Sequence, residues 1–155
     1  MKLLHALALS IALLVSVWVC LSIGMPTLNL NPWIGFVAWA TFFAAGGGSA
    51  ALGKSVGAAL AGVFLTAGTM YLVGLAGGSL PALAVLVAIL AFVLVAMADV
   101  AALSYTPAAF LGAATYFGAT GDTMEKVMFV SLTWLVGLTF GYASERFGKS
   151  MTRAA

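Results

Sequence analysis

The sequence predicts an all-α integral membrane protein of about six transmembrane segments, arranged as a 3+3 inverted repeat with short second and fifth segments. Three observations predict this fold class. The chain of 155 residues is 64% hydrophobic and 6% charged, whereas soluble proteins contain about 25% charged residues. Its apolar runs recur at lengths close to that of a membrane span. One apolar stretch also returns at about half the chain length, which indicates duplication.

The repeated stretch is FVAWATFF at Phe36–Phe43, which returns 74 positions later as FLGAATYF at Phe110–Phe117. Four of the eight positions are identical, and each copy runs into a glycine-rich break. Glycine ends helices and allows the backbone to turn or to be approached closely. Each copy therefore predicts either a short, steep helix or a broken segment whose end lines a polar cavity.

We expect membrane segments at about 3–23, 33–46, 55–76, 81–99, 107–119 and 127–144. A spanning helix needs about 20 apolar residues, so the second and fifth segments are short. Asn31 and Thr106 are the predicted N-caps of these two segments, since each precedes a proline at the first helical position. The N-terminal apolar run is interpreted as an uncleaved first helix, although it resembles a signal peptide.

The segment count predicts how the two copies are oriented. Three segments per copy is an odd number, so the second copy enters the membrane in the opposite sense. The chain is then a single transmembrane domain over 1–155, with repeat halves of about 1–78 and 79–155, an arrangement common in transporters. Six spans place both termini on one side, together with five of the six basic residues. The positive-inside rule makes this side cytoplasmic.

One perfect motif match is interpreted as an accident. Gly48–Ser55 fits the phosphate-binding pattern G-x-x-x-x-G-K-S, but such a loop works between a buried strand and a helix. Here an apolar helical segment precedes it, so we predict a cytoplasmic turn with Lys54 as a topology anchor and no bound nucleotide. The basic residues lie at the ends of apolar runs, so we expect no nucleic acid either.

The sequence predicts no catalytic, cofactor-binding or metal site, and therefore no enzyme. His5 is the only histidine, and no serine, threonine or cysteine has a base partner that could activate it. Asp99 lies at the end of its segment, where it is either solvated or a functional carboxylate. Glu145 and Lys149 are spaced i,i+4 and predict a surface ion pair that extends the last helix.

The favoured function is a passive channel or facilitator for a small neutral or weakly polar solute across the membrane. Driven transport normally requires ionisable groups near the midplane, where this sequence has none. Hydroxyl groups remain to line a path: Thr41, Thr66, Thr69, Tyr71, Thr115, Tyr116, Ser131 and Thr133. Two alternatives stay open, namely a non-conducting structural or regulatory membrane subunit and a secondary transporter.

The candidate pathway-lining residues lie in the repeated motif and at the two glycine breaks: Thr41, Phe43, Gly47, Gly48, Thr115, Tyr116, Phe117, Gly121 and Asp122. Small residues also recur at helical spacing around Gly62 and Gly137, which correspond in the two copies at an offset of 75. Such rows let helices pack closely. They predict a pseudo-symmetric helix contact and a homo-oligomer in the lipid bilayer, but they do not indicate the number of subunits. The sequence does not identify the solute either.

The stretches PWIGFVAWATFFAAGGG, FLGAATYFGATGD and GLTFGY resemble the YcdZ-like family of small bacterial inner-membrane proteins of unknown function. The resemblance covers most of residues 30–145. It implies a multi-pass protein of the bacterial inner membrane, and it implies no particular catalytic or ligand-binding residues.

Overall fold

The computed structural model describes residues 2–120 and 123–153, which form helices and connecting turns and contain no β-strand. Six α-helices lie within these ranges: α1 Leu3–Ser22, α2 Pro32–Ala44, α3 Gly48–Leu75, α4 Leu80–Ala96, α5 Thr106–Gly118 and α6 Thr123–Arg153. Three single 3-10 turns occur in the connections: Pro26–Leu28, Met97–Asp99 and Ala101–Leu103. The all-helical prediction is confirmed for the described residues.

Four helical segments are long and apolar enough to cross a membrane: Leu3–Ser22, Gly48–Leu75, Leu80–Asp99 and Met124–Thr152. Helices α2 and α5 contain 13 residues each. At a rise of about 1.5 Å per residue they are about 20 Å long, which is less than the roughly 30 Å of a hydrocarbon core. The four long helical segments are therefore compatible with a multi-pass membrane protein, and α2 and α5 are too short to span the hydrocarbon core as straight helices.

The predicted N-cap residue is correct for α2 and wrong for α5. The Asn31 side chain caps α2 as predicted, because its oxygen accepts from the backbone N–H groups of Trp33 at 3.2 Å and Ile34 at 3.4 Å. The prediction of Thr106 as an N-cap is wrong by one residue. Thr106 is the first residue of α5 and Tyr105 is the cap, because the Tyr105 carbonyl already accepts from Ala108 N–H at 3.0 Å.

Two helices are longer than the apolar runs that predicted them. Helix α3 begins at Gly48 instead of at about residue 55, and α6 covers Thr123–Arg153 instead of about 127–144. The predicted turn at Gly48–Ser55 is thus wrong, since these residues form the first two turns of α3. Polar residues such as Lys54 continue a helix beyond its apolar part without cost in propensity, so hydropathy alone placed these ends too early.

The chain divides into two compact units whose boundaries fall inside α3 and α6. Unit 1 comprises residues 1–52 and 132–155, and so contains α1, α2 and most of α6. Unit 2 comprises residues 53–131, and so contains most of α3, all of α4 and α5, and the start of α6. Each unit therefore combines the first two helices of one predicted half with the third helix of the other.

Unit 1 is packed around aromatic side chains. Trp18 is fully buried, and its indole N–H donates to the carbonyl of Pro32 at 3.1 Å. The Trp18 ring packs edge-on against Phe140 at a centroid distance of 5.6 Å. Gly35 lies directly against the Trp18 ring, and a Cβ at Gly137 would lie 2.6 Å from the Gly35 carbonyl oxygen. Both glycines are needed because the helices approach too closely for a side chain.

Unit 2 contains the corresponding contact between α3 and α5. A Cβ at Gly62 would overlap the carbonyl oxygen of Ala109, and a Cβ at Gly112 would overlap that of Ala59. Ala109 is the counterpart of Gly35 at the repeat offset of 74. Gly62 and Gly137 therefore make equivalent contacts, each on a third helix packed against a copy of the repeated motif.

Candidate functional site

The break between α2 and α3 is formed by three consecutive glycines with left-handed backbone angles. The φ angles of Gly46, Gly47 and Gly48 are +98°, +72° and +75°, values that other residues adopt only with strain. The first two N–H groups still complete α2, since Gly46 donates to Phe43 O at 2.9 Å and Gly47 to Phe42 O at 3.2 Å. The N–H of Gly48 is then directed away from α2.

A carboxylate on α6 binds this break. Glu145 Oε2 accepts from Gly48 N–H at 2.7 Å, and Lys149 Nζ donates to Glu145 Oε1 at 2.5 Å. The predicted ion pair is therefore present, but the prediction of a surface pair is wrong for its carboxylate. Glu145 is 7% exposed, whereas the Lys149 side chain is 53% exposed. A nearly buried carboxylate needs such partners to remain charged.

Further polar contacts place three chain segments at one end of unit 1. Ser10 Oγ donates to the Ser144 carbonyl at 2.7 Å, and the indole N–H of Trp39 donates to Ser144 Oγ at 3.0 Å. Gly148 packs against Leu7. The start of α1, the glycine break after α2 and the end of α6 therefore lie at the same end of this unit.

Four predicted pathway residues belong to unit 1. Thr41 is buried, and its hydroxyl donates to the Val37 carbonyl at 2.7 Å. Phe43 is half-buried and lines an apolar groove. Gly47 lies beside the Glu145 carboxylate, and Gly48 donates to it. The structure thus brings the two glycines together on one carboxylate, while Thr41 and Phe43 lie on different faces of α2.

Three other predicted pathway residues belong to unit 2. Thr115 is 1% exposed and donates to the Gly112 carbonyl at 2.9 Å. Tyr116 is buried, and Lys126 Nζ lies 4.5 Å from its ring centroid. Phe117 is 42% exposed and lines an apolar groove. Gly121 and Asp122, the remaining two candidates, lie outside the described residues.

The two units contain equivalent apolar grooves. The first groove, between α1 and α2, has a volume of about 200 Å³ and is lined by Ile11, Val15, Phe36, Trp39, Ala40 and Phe43. The second groove, between α4 and α5, has a volume of about 190 Å³ and is lined by Val87, Leu90, Ala91, Leu94, Phe110, Ala113, Ala114 and Phe117. All four α2 residues of the first groove have their counterparts at an offset of 74 in the second.

Two buried hydroxyl groups in unit 2 have no hydrogen-bond partner among the described residues. They belong to Ser55 on α3, which is fully buried, and to Ser131 on α6. Sequence reasoning included Ser131 among the candidate hydroxyls but missed Ser55, because it placed this residue in an exposed turn. A shielded hydroxyl without a partner costs free energy, so its position needs an explanation.

The remaining titratable groups do not assemble into a site. Within residues 2–120 and 123–153, no three histidine, cysteine or acidic side chains lie close enough to hold a metal ion. Asp99 is exposed at the end of its 3-10 turn, as the interpretation of a solvated carboxylate requires.

Comparison with known proteins gives one match. The model of the family described as "Protein of unknown function (DUF1097)" matches residues 8–149. No curated protein and no solved structure gives a significant match to the chain.

Proposed function

We propose that the chain, which belongs to the DUF1097 family of proteins of unknown function, is a non-enzymatic passive channel or facilitator for a small neutral or weakly polar solute. The unpartnered hydroxyls of Ser55 and Ser131 carry this proposal. Each hydroxyl is buried and has an O–H donor and two acceptor lone pairs that no described group uses. A hydrogen-bonding solute would satisfy them during passage.

A further buried hydroxyl of unit 2 suits the same role. Thr66 Oγ1 donates to the Gly62 carbonyl at 2.7 Å. A threonine that donates to its own helix still has lone pairs to accept from a solute. The path we propose therefore offers donors at the two serines and an acceptor at Thr66.

The charge distribution favours a neutral solute. Residues 55–98 and 127–144 contain no aspartate, glutamate, lysine or arginine. Proton-coupled and sodium-coupled transporters normally hold such groups within the membrane, so a passive mechanism fits these stretches better than a secondary transporter does.

We further propose the 3+3 inverted repeat, with both termini in the cytoplasm of a bacterium and the helices in its inner membrane. The equal lengths of α2 and α5, the equivalent grooves and the matching contacts of Gly62 and Gly137 support the repeat. The start of α1 and the end of α6 share one end of unit 1, which supports a common side for the termini. The closer relationship to the YcdZ-like proteins and the homo-oligomer stay predictions.

The test is solute-induced swelling of proteoliposomes, followed by stopped-flow light scattering with urea, formamide, acetamide and glycerol. We expect one or more solutes to enter faster than into empty liposomes. Ser55→Ala and Ser131→Ala should each slow this entry without loss of stability, because they remove a buried hydroxyl that has no partner. Ser16→Ala is the control, since the Ser16 hydroxyl is exposed and donates to the Ala12 carbonyl.

Two outcomes would count against the proposal. Solute entry that is unchanged in both serine variants would show that these two hydroxyls do not take part in solute passage. Folded wild-type protein that conducts no solute above the rate of empty liposomes would favour the non-conducting membrane subunit instead.

A further inference from the structure

Contacts between α1 and α6 fix the level of the glycine break along α1. Ser10 Oγ donates to the Ser144 carbonyl at 2.7 Å. Further along α6, a Cβ at Gly148 would lie 3.0 Å from the Cα of Leu7. Glu145 lies between these two contacts, and its carboxylate binds the break between α2 and α3. The break is therefore level with the stretch of α1 between Leu7 and Ser10.

This level lies inside the apolar length of α1. Helix α1 covers Leu3–Ser22, 20 residues, which at about 1.5 Å per residue matches the roughly 30 Å of a hydrocarbon core. Leu3 and Leu4, at its start, are 48% and 75% exposed, so these apolar side chains need lipid around them. Leu9 follows Leu3 by six residues. The break therefore lies about 9 Å below the start of the apolar helix.

The break presents polar backbone groups at this depth. Among the described residues, no N–H donates to the carbonyls of residues 44–47. Ala44 and Gly46 are exposed, and a Cβ at Gly46 or Gly48 would meet no atom within 4 Å. Irregular backbone at membrane depth is tolerated only where it is buried in protein or lines a water-filled cavity. Because this backbone is exposed, it requires water.

Charged side chains lie at the same level. Arg146 is exposed, and so is half of the Lys149 side chain. Long basic side chains can extend from such a depth toward the membrane surface. The shorter Glu145 side chain cannot do so, because the Gly48 N–H holds its carboxylate at the break. A charged group inside lipid is costly, and water at the break removes this cost.

We propose that water fills a recess at the break between α2 and α3, which reaches about 9 Å into the hydrocarbon core from the end where α1 begins. Helix α2 is then a broken segment whose glycine end lies in water. The recess admits small hydrophilic molecules, whereas the exposed face of α1 at Leu9, on the same level, stays in lipid. This proposal does not rest on solute conduction, because it concerns unit 1 and is tested by chemical access.

The test is the rate at which single cysteines react with a charged methanethiosulfonate, in membranes open to the reagent from both sides and in a variant without Cys20. Ala44→Cys and Ser49→Cys place thiols on the two sides of the break, at exposed positions. Leu9→Cys is the matched control, because Leu9 is 45% exposed on α1. We expect both break cysteines to react at least about tenfold faster than the control, since the thiolate is the reactive form and hydrocarbon disfavours it.

Two results would overturn the proposal. Leu9→Cys that reacts as fast as the break cysteines would mean that this level of α1 lies outside the bilayer. Break cysteines that react as slowly as Leu9→Cys would mean that no water reaches the break. Denaturation in sodium dodecyl sulfate should make all three thiols react alike, which assigns the difference to the folded protein in its membrane. If one break variant fails to fold, as judged by gel filtration, the other still decides the outcome.

Discussion

The backbone N–H of Gly48 donates a hydrogen bond of 2.7 Å to the carboxylate of Glu145, a residue 97 positions later in the chain. This bond joins the start of α3 to the last part of α6 at a break where three glycines have left-handed backbone angles. The N–H groups at the start of a helix have no carbonyl acceptor within the helix, and the Glu145 carboxylate supplies one for Gly48 at the start of α3. Lys149 balances the charge of this carboxylate.

Removal of this carboxylate should destabilise the protein. Glu145→Leu leaves the Gly48 N–H without its acceptor, and the expected loss is about 1–3 kcal/mol in the free energy of unfolding. Lys149→Met should cost less than Glu145→Leu, because the carboxylate keeps its hydrogen bond to Gly48 and half of the lysine side chain is exposed to solvent. Unfolding by sodium dodecyl sulfate in mixed micelles measures both.

Glu125→Leu is the control for this pair, since Glu125 is exposed near the start of the same helix. A loss at Glu145 no larger than that at Glu125 would mean that the carboxylate does not hold the break.

The close contact between α3 and α5 predicts opposite effects for two glycines on one helix. Gly62→Ala forces a methyl group against the Ala109 carbonyl, so it should destabilise the protein by about 1–3 kcal/mol. A Cβ at Gly68 meets nothing within 4 Å, so Gly68→Ala should be neutral or stabilising by up to about 1 kcal/mol. The same unfolding measurement compares them, and equal effects would contradict this packing.

Much of the fold could be predicted because its signals are local in the sequence. The length of an apolar run indicates a helix, and Asn31 followed by Pro32 marks the start of α2 within one turn. The repeat at Phe36–Phe43 and Phe110–Phe117 likewise predicted two short segments. The grooves were not predicted, although three of the four identical positions of the repeat line them.

The polar contacts could not be predicted because they depend on tertiary structure. The i,i+4 spacing showed that Glu145 can pair with Lys149, but the burial of Glu145 depends on where the α2–α3 break lies. Ser55 looked like part of a turn because Gly53 and Lys54 precede it, and only the continuous helix α3 places its hydroxyl on a buried face. Local sequence patterns contain no information on the α2–α3 break that covers Glu145 or on the helices that cover Ser55.

The inverted repeat predicts opposite exposure for the two glycine breaks. In a variant without the native Cys20, Ser49→Cys should react with a membrane-impermeant thiol reagent only from the cytoplasmic side. Glu125→Cys should react only from the outside. Both positions are exposed in the structure, so labelling in intact cells and in inverted vesicles is suitable. Reaction of both from the same side would exclude inversion.

The passive mechanism is tested most directly by measuring entry of a conducted solute into proteoliposomes at several concentration gradients, with and without a proton or sodium gradient. The account predicts an initial rate that rises with the solute gradient and is unchanged when a protonophore or a sodium ionophore removes the ion gradient. Solute that accumulates above its external concentration and is lost on addition of either ionophore would contradict passive facilitation and indicate a secondary transporter.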